Sequence, residues 1–304
     1  MLVNIVGAGI SGPAAAITMA DRGHDVTVYE QRKESQLRSE GILGITQANW
    51  DRLDRRYVNL SWELGNSFTN ANTPQTYTSP LHYITWTDLH LALVEAAKDL
   101  GVHFEWETPY TERADDDLLL PDITVWASGI GTASTVTTSH YTGYAIIRGS
   151  TPQFANTDWT ALHFDSELGE SAFMVGDTHH GASITLFVPR DDIPMRTTYS
   201  HTPPEEIWDL PFTFQQLADS VTEWQTSPMS DWDVPDTMVT RSKRHSVIRI
   251  GDANGQLRPA TAMGANLGMQ EAFYLPGILA YNTQEAETLH IRRQWTQYGQ
   301  RAGI

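Results

Sequence analysis

The sequence predicts an α/β protein: a Rossmann-type dinucleotide-binding domain interrupted by an inserted antiparallel β-sheet. Three observations predict it. The chain opens on a strand, a glycine loop, a small-residue helix and a second strand in immediate succession. Its middle changes to alternating apolar and polar segments, the period of a half-buried sheet. Near the end, one more apolar strand runs into a second glycine-rich turn followed by helices. The order is therefore nucleotide fold, inserted sheet, nucleotide fold again, and 304 residues suffice for one large or two interlocked domains.

Each element has its own justification. Leu2 to Val6 is a short apolar strand bounded by Gly7. Ala14, Ala15, Ala16, Ile17 and Met19 form a compact helical face that ends around Gly23. Asp25 to Glu30 is a β-branched strand, and two such strands around a helix imply a parallel pair with a right-handed crossover. Residues 59–81 are rich in Asn, Thr and Pro and read as a polar region. Asp88 to Leu100 carries Leu89, Leu93, Ala96 and Ala97 at helical spacing. Val102 to Trp106 and Ile123 to Ala127 continue the parallel set. From 139 to 238, segments such as Ala172 to Val175 and Ile184 to Val188 predict antiparallel sheet, and Ser246 to Ile250 is the last apolar strand. These readings place a nucleotide-binding domain over 1–65, 84–138 and 239–283, a sheet domain over 66–83 and 139–238, and a closing helix over 284–304.

Composition removes several functions. The formal charge is −17 with no Lys/Arg-rich run, which argues against duplex nucleic acid and against an anionic membrane surface. With no cysteine, disulfides, thiolate metal sites and cysteine nucleophiles are excluded. No G-x-S-x-G elbow is present, which disfavours a serine hydrolase. The first apolar stretch lacks a basic flank and runs straight into a glycine loop, and no stretch has the length of a membrane span. The expectation is a cytoplasmic protein with a small-molecule partner.

Gly7-Ala8-Gly9-Ile10-Ser11-Gly12 is a G-x-G-x-x-G loop between strand and helix. Gly7 permits the tight turn, Gly9 lets the backbone approach a pyrophosphate, and Gly12 lets the helix pack near the strand. The helix start then offers free N–H groups and positive dipole to phosphates. Glu30 lies 18 residues past Gly12 at the end of the second strand, where its carboxylate can accept from a ribose diol. A carboxylate there disfavours the 2′-phosphate of NADP and does not separate NAD from FAD.

The second turn separates them. It reads Gly251-Asp252-Ala253-Asn254-Gly255-Gln256-Leu257-Arg258-Pro259, and after three residues Met263-Gly264-Ala265-Asn266-Leu267-Gly268. This arrangement resembles the second FAD fingerprint of the flavoprotein monooxygenases related to para-hydroxybenzoate hydroxylase, and the resemblance spans nearly the whole chain. Glu30-Gln31-Arg32 resembles the family's acid-plus-arginine strand end, and Arg38 before Gly41-Ile42-Leu43 a segment whose arginine approaches the FAD phosphates. Tyr141 to Tyr144, leading to Arg148-Gly149, resembles the entry to the substrate sheet. The resemblance implies an FAD-binding domain with an inserted substrate domain, NADH or NADPH as electron donor, and transfer of one oxygen atom from O2 to a small, aromatic metabolite through a flavin hydroperoxide. It also implies that Asp252 contacts the ribityl chain and that Gly264, Ala265 and Asn266 face the flavin ring.

Some positions depart from that pattern. Trp86 stands where the family has an FAD-binding arginine, Ser128 where it has the aspartate of an Asp-Gly pair, Gly255 where a histidine is common, and Ala262 where a glycine is usual. These departures bear on FAD retention and on ordinary reduction by NAD(P)H, and they bring in a separate reductase as a second electron source. They also motivate an alternative of dehydrogenase, isomerase or cyclase chemistry, or a degenerate nucleotide-binding protein. Substrate-orienting candidates are Tyr144, Arg148 and His163, with His179 and His180 beside them. The two adjacent histidines lack further ligands at metal spacing and read as a solvated loop, and Asp115 to Asp117 as a charged turn. Trp159, Trp208, Trp224 and Trp232 read first as core, with an aromatic pocket wall as the alternative.

Overall fold

The computed structural model describes residues 1–39, 41–54, 67–70, 75–78, 81–110, 121–129, 139–151, 161–165, 171–177, 181–190, 197–258 and 263–301. In chain order the strands are β1 (Leu2–Val6), β2 (Asp25–Tyr29), β3 (Ile42–Thr46), β4 (Ser67–Asn70), β5 (Gln75–Thr78), β6 (Leu81–Thr85), β7 (His103–Glu105) and β8 (Ile123–Trp126). They continue as β9 (Ser139–Thr151), β10 (Ala161–Asp165), β11 (Ser171–Asp177), β12 (Gly181–Pro189), β13 (Thr198–Ser200), β14 (Trp224–Trp232), β15 (Val239–Arg241) and β16 (Ser246–Arg249). The helices are α1 (Ser11–Ala20), α2 (Gln47–Asp54), α3 (Trp86–Asp99), α4 (Phe212–Ala218), α5 (Gly264–Ala280) and α6 (Asn282–Arg301).

Two sheets divide the work. The first runs β15-β16-β8-β1-β2-β7, parallel throughout except for β15 at its edge. Val3, Ile5, Val26, Val28, Val125 and Ile248 share a core with α1, α3 and α5, while the alternate residues Asn4, Thr27 and Tyr29 are half-buried. The alanines of α1 are almost fully buried, and their small size lets the helix lie close to its neighbours α3 and α5. Thr85 caps α3 by accepting from the Asp88 amide at 3.1 Å, which starts that helix two residues before the apolar pattern does.

The second sheet runs β13-β14-β9-β12-β11-β10-β4-β5 and is antiparallel apart from the β10–β4 pair. One face of β9 carries Ala145 and Ile147 into a core with Leu186, Trp224 and the α4 residues Phe214 and Leu217. The opposite face of the same strand carries Tyr144 and Ile146, which pack with Phe187 and Met229. A small β3–β6 ribbon joins the polar region to the first sheet's helices. No helix among the described residues is long and apolar enough to cross a membrane.

Candidate active site

Backbone crowding explains two of the first loop's glycines. Gly7 has φ +102°, and a Cβ on it would lie 2.6 Å from Ser128 Cα and 2.7 Å from the Ala127 carbonyl oxygen. A Cβ on Gly12 would overlap the Gly7 carbonyl oxygen. Gly9 differs, because its Cβ would meet nothing within 4 Å. The protein's own packing does not require a glycine there, whereas a pyrophosphate approaching the backbone would. Ile10 is buried and helical, Ser11 begins α1, and the first turn of α1 carries no acid and no side-chain cap. Its amides are available to an anion.

Glu30 is buried at the end of β2 and is partly engaged. Its Oε2 accepts from the Ala8 amide at 3.0 Å, and its Oε1 accepts from the Arg32 amide at 3.0 Å and from Arg32 Nε at 3.1 Å. Burial alone would raise its pKa, but these hydrogen bonds and the Arg32 charge outweigh it and hold the carboxyl below its ordinary value. Lone pairs remain for a ribose diol. Gln31 and Arg38 are exposed.

His90 is a site residue that sequence reasoning did not find. It is fully buried on α3, and its Nε2 lies 2.8 Å from the Ala8 carbonyl oxygen, which can only accept. Nε2 therefore carries the proton, and the buried Nδ1 has no partner. Burial lowers its pKa, more than the Ala8 bond and nearby carboxylates raise it. Trp86 stacks on this ring at 4.8 Å with 14° between planes, so the tryptophan that stands in the arginine's place supports the glycine loop through His90. The spacing of 86 and 90 on one helix face was the available signal. Ser128 lies against Gly7, and its Oγ is buried with no hydrogen-bond partner among the described residues.

The second turn closes onto the first. Gly251 has φ +61°, and a Cβ there would sit 2.5 Å from Ser11 Oγ. A Cβ on Gly268 would fall closer still to Ser11 Oγ and 3.3 Å from Gly251 Cα. Ser11 is thus lodged between the two glycines of the later segment, which brings the two loops into contact. Gly264, at the start of α5, has open space where a Cβ would stand, as Gly9 does. Ala265 is half-buried in the same turn. Asn266 spends its side chain inside the protein: Nδ2 donates to Gly44 O at 2.7 Å, and Oδ1 accepts from the Thr46 amide at 2.9 Å. What Asn266 can offer a ligand is backbone. Asp252 is half-buried, and desolvation raises its pKa against the opposing Arg292 charge, with Glu271 adding to the rise. Pro259 and Ala262 lie outside the described residues.

On the large sheet, Arg148 alternates with Tyr144 and Ile146 on the strand face opposite α4. It is half-buried, desolvation lowers its pKa, and among the described residues it has no ion pair or hydrogen bond. His163 sits on β10 opposite Phe173, with its side chain outside the described residues, and Trp159, His179, His180 and Asp115 to Asp117 lie outside them entirely. Trp224 is core, Trp208 is exposed, and Trp232 is half-buried with its Nε1 unpartnered. Arg258 ties the second turn to the sheet through Asp231 on β14, with Nε–Oδ1 2.5 Å and NH2–Oδ2 2.6 Å. No group of three metal-ligating side chains occurs among the described residues.

Residues 171–291 match the family profile of an FAD binding domain, and residues 5–38 that of an NAD(P)-binding Rossmann-like domain. No curated protein matches the sequence. Solved structures do match the fold. CtdE in complex with FAD and substrate 4 superposes with a TM-score of 0.78 at 17% identity, covering 99% of this chain and 88% of that one. The pqsL protein from Pseudomonas aeruginosa gives 0.73 at 16%, covering 100% and 95%. The tetrameric form of 2-methyl-3-hydroxypyridine-5-carboxylic acid oxygenase gives 0.70 at 19%, covering 95% and 85%.

Proposed function

By its fold and its two matched segments the chain stands with the FAD-binding oxidoreductases related to para-hydroxybenzoate hydroxylase, and from that premise we propose that it is a monooxygenase of a small aromatic metabolite. The observation that carries the reading is Ser11 lodged between Gly251 and Gly268. It joins two loops more than 200 residues apart, and each loop has a glycine with open space where a Cβ would stand, Gly9 and Gly264, which supports a shared ligand cleft between them. The residues fit a dinucleotide. Amides of residues 9–12 would hold the diphosphate, Glu30 the adenosine ribose, Asp252 the ribityl chain, and the amides of Gly264 to Asn266 the flavin ring.

The bound flavin supplies electron storage and activation of O2. The chain's own part is binding, orientation and exclusion of water. Tyr144 and Arg148 would orient the substrate from the sheet face, Arg148 by pairing its desolvated charge with a phenolate or carboxylate. This pairing is the natural fate of a half-buried guanidinium without a protein partner among the described residues. Amides at the α5 start would stabilise negative charge on the reduced ring. Electrons come from NADH or NADPH, or from a separate reductase in keeping with serine at position 128.

Purified protein tests this directly. It should carry flavin absorbance or take up FAD with quenching of flavin fluorescence. Anaerobic mixing with NADH and NADPH then distinguishes direct reduction from dependence on a reductase. Reduced protein mixed with aerated hydroxylated aromatic acids should give a product heavier by one oxygen atom. Flavin reoxidation without any such product, across that substrate class, would reject oxygenation in favour of dehydrogenase or isomerase chemistry.

A further inference from the structure

A fully buried ion pair lies behind the second turn and belongs to none of the contacts proposed above. Glu271 on α5 and Arg292 on α6 are each about 1% exposed and meet in a two-pronged contact, Nε–Oε1 2.7 Å and NH2–Oε2 2.8 Å. Both charges also grip the turn. Glu271 Oε2 accepts from the Gly251 amide at 2.7 Å, Oε1 accepts from Asn254 Nδ2 at 3.4 Å, and Arg292 NH1 donates to the Gly255 carbonyl. The pair therefore holds the first amide and the last carbonyl of the Gly251–Gly255 turn, which contains Asp252 and borders Ser11.

Such a pair is costly as a stability device, since burial of both charges offsets much of their attraction. Its chemistry suits the turn nonetheless. Gly251 aims an N–H inward and Gly255 a C=O, and a carboxylate with a guanidinium supplies the acceptor and the donor with charge-assisted bonds. It also places two opposite charges directly behind the flavin end of the crevice, where the low dielectric leaves an unbalanced charge poorly screened.

We propose that Arg292 and Glu271 are positioning residues for the flavin, fixing the Gly251–Gly255 turn and cancelling each other's charge beside the Asp252 carboxyl. This rests on the FAD reading above. The pair acts through the turn and does not touch the cofactor. Removing one member leaves the other's charge behind the ring, so the two single variants must move the flavin in opposite directions. A merely structural role would move both the same way.

The test is the midpoint potential of FAD-loaded protein, set beside FAD affinity and the melting temperature of each variant. Glu271→Gln leaves a guanidinium that cannot shed its proton, and should favour reduced over oxidised flavin by roughly tenfold, about 30 mV for a two-electron couple. Arg292→Gln should favour oxidised flavin by a similar factor, and the double variant should return towards the wild-type value. Should Arg292→Gln fail to fold, Arg292→Lys substitutes for it. That variant keeps the charge, and should hold the wild-type potential while Glu271→Gln departs from it. Single variants that shift together, or a Glu271→Gln that does not shift, overturn the inference while FAD binding stands. A wild-type protein that takes up no FAD overturns the flavin reading and this inference with it.

Discussion

At the crevice, Glu30 meets Arg32 and the Ala8 amide, and Glu271 meets Arg292, whereas on the large sheet Arg148 meets no partner among the described residues. The first region pairs Glu30 and Glu271 with arginines and presents mainly backbone: two glycine loops and two helix starts. The second leaves a desolvated cation on a face of apolar and aromatic side chains. A region built from backbone binds one invariant ligand. A region built from side chains on a sheet face can be retuned by single substitutions, and in the proposed function the two halves divide cofactor from substrate on that basis.

The sharpest way to break this comparison is to put a side chain into the glycine loop where the protein needs the space and where only the ligand would. Gly12→Val forces a Cβ into the Gly7 carbonyl, and we expect a loss of about 3 kcal/mol or more, or no folded protein, in urea denaturation. Gly9→Val points into open space, so its melting curve should stay near wild type while FAD affinity drops at least 100-fold. Equal stability losses in the two variants would remove the distinction between packing glycine and ligand glycine.

The same distinction explains what was legible in the sequence. Gly7, Gly12, Gly251 and Gly268 stand where backbone meets backbone or a neighbouring side chain, so their spacing carries the crevice into the primary structure. α3 was legible from its apolar spacing, except that its start is set by the Thr85 cap at Trp86. The β3–β6 ribbon was not, because Ile42–Thr46 is short and its partner follows a long polar segment. The β4–β5 pair lies inside that polar segment and reads there as loop. His90, Glu271 and Arg292 were invisible for a different reason. Each is buried by residues distant in sequence, and a charged residue on a helix reads as solvated until the fold covers it.

A smaller effect sharpens the substrate side. Arg148→Met removes a desolvated charge that has no partner among the described residues, at nearly constant length. The ligand-free protein should gain about 1 kcal/mol, seen as a melting temperature a few degrees higher. KM for an anionic aromatic should rise at least tenfold, while a neutral analogue is little affected. Lower stability with unchanged KM would mean that Arg148 is paired and structural, and the contrast with the crevice would vanish.

Smaller again is the acid-linked effect at Glu30. Its folded pKa is depressed, so it stabilises the fold above the ordinary carboxylate value near 4.3, and that stabilisation is lost as pH falls through the lower folded value. Wild type should exceed Glu30→Gln in stability by a constant margin from about pH 5 upward, with the margin closing in acid. A margin independent of pH would indicate that the glycine loop gains only hydrogen bonds from residue 30 and nothing from its charge.

The smallest expected effect tests a place where the glycine loop lacks a positive charge that the resemblance implies. Trp86 stacks on His90, which in turn holds the Ala8 carbonyl, so the tryptophan supports the loop by packing and gives the diphosphate no cation. Trp86→Arg should tighten FAD severalfold at low salt, and the gain should fade as ionic strength rises and shortens the screening length. His90 would meanwhile lose its stacking partner, which costs a fraction of the aromatic contribution and limits the gain. Tighter binding that ignores salt would trace to loop geometry instead of charge. Weaker binding at every salt would mean that the stacked pair holds the Ala8 carbonyl in place more strongly than an added guanidinium can repay, and that backbone placement governs the loop even where a cation could stand.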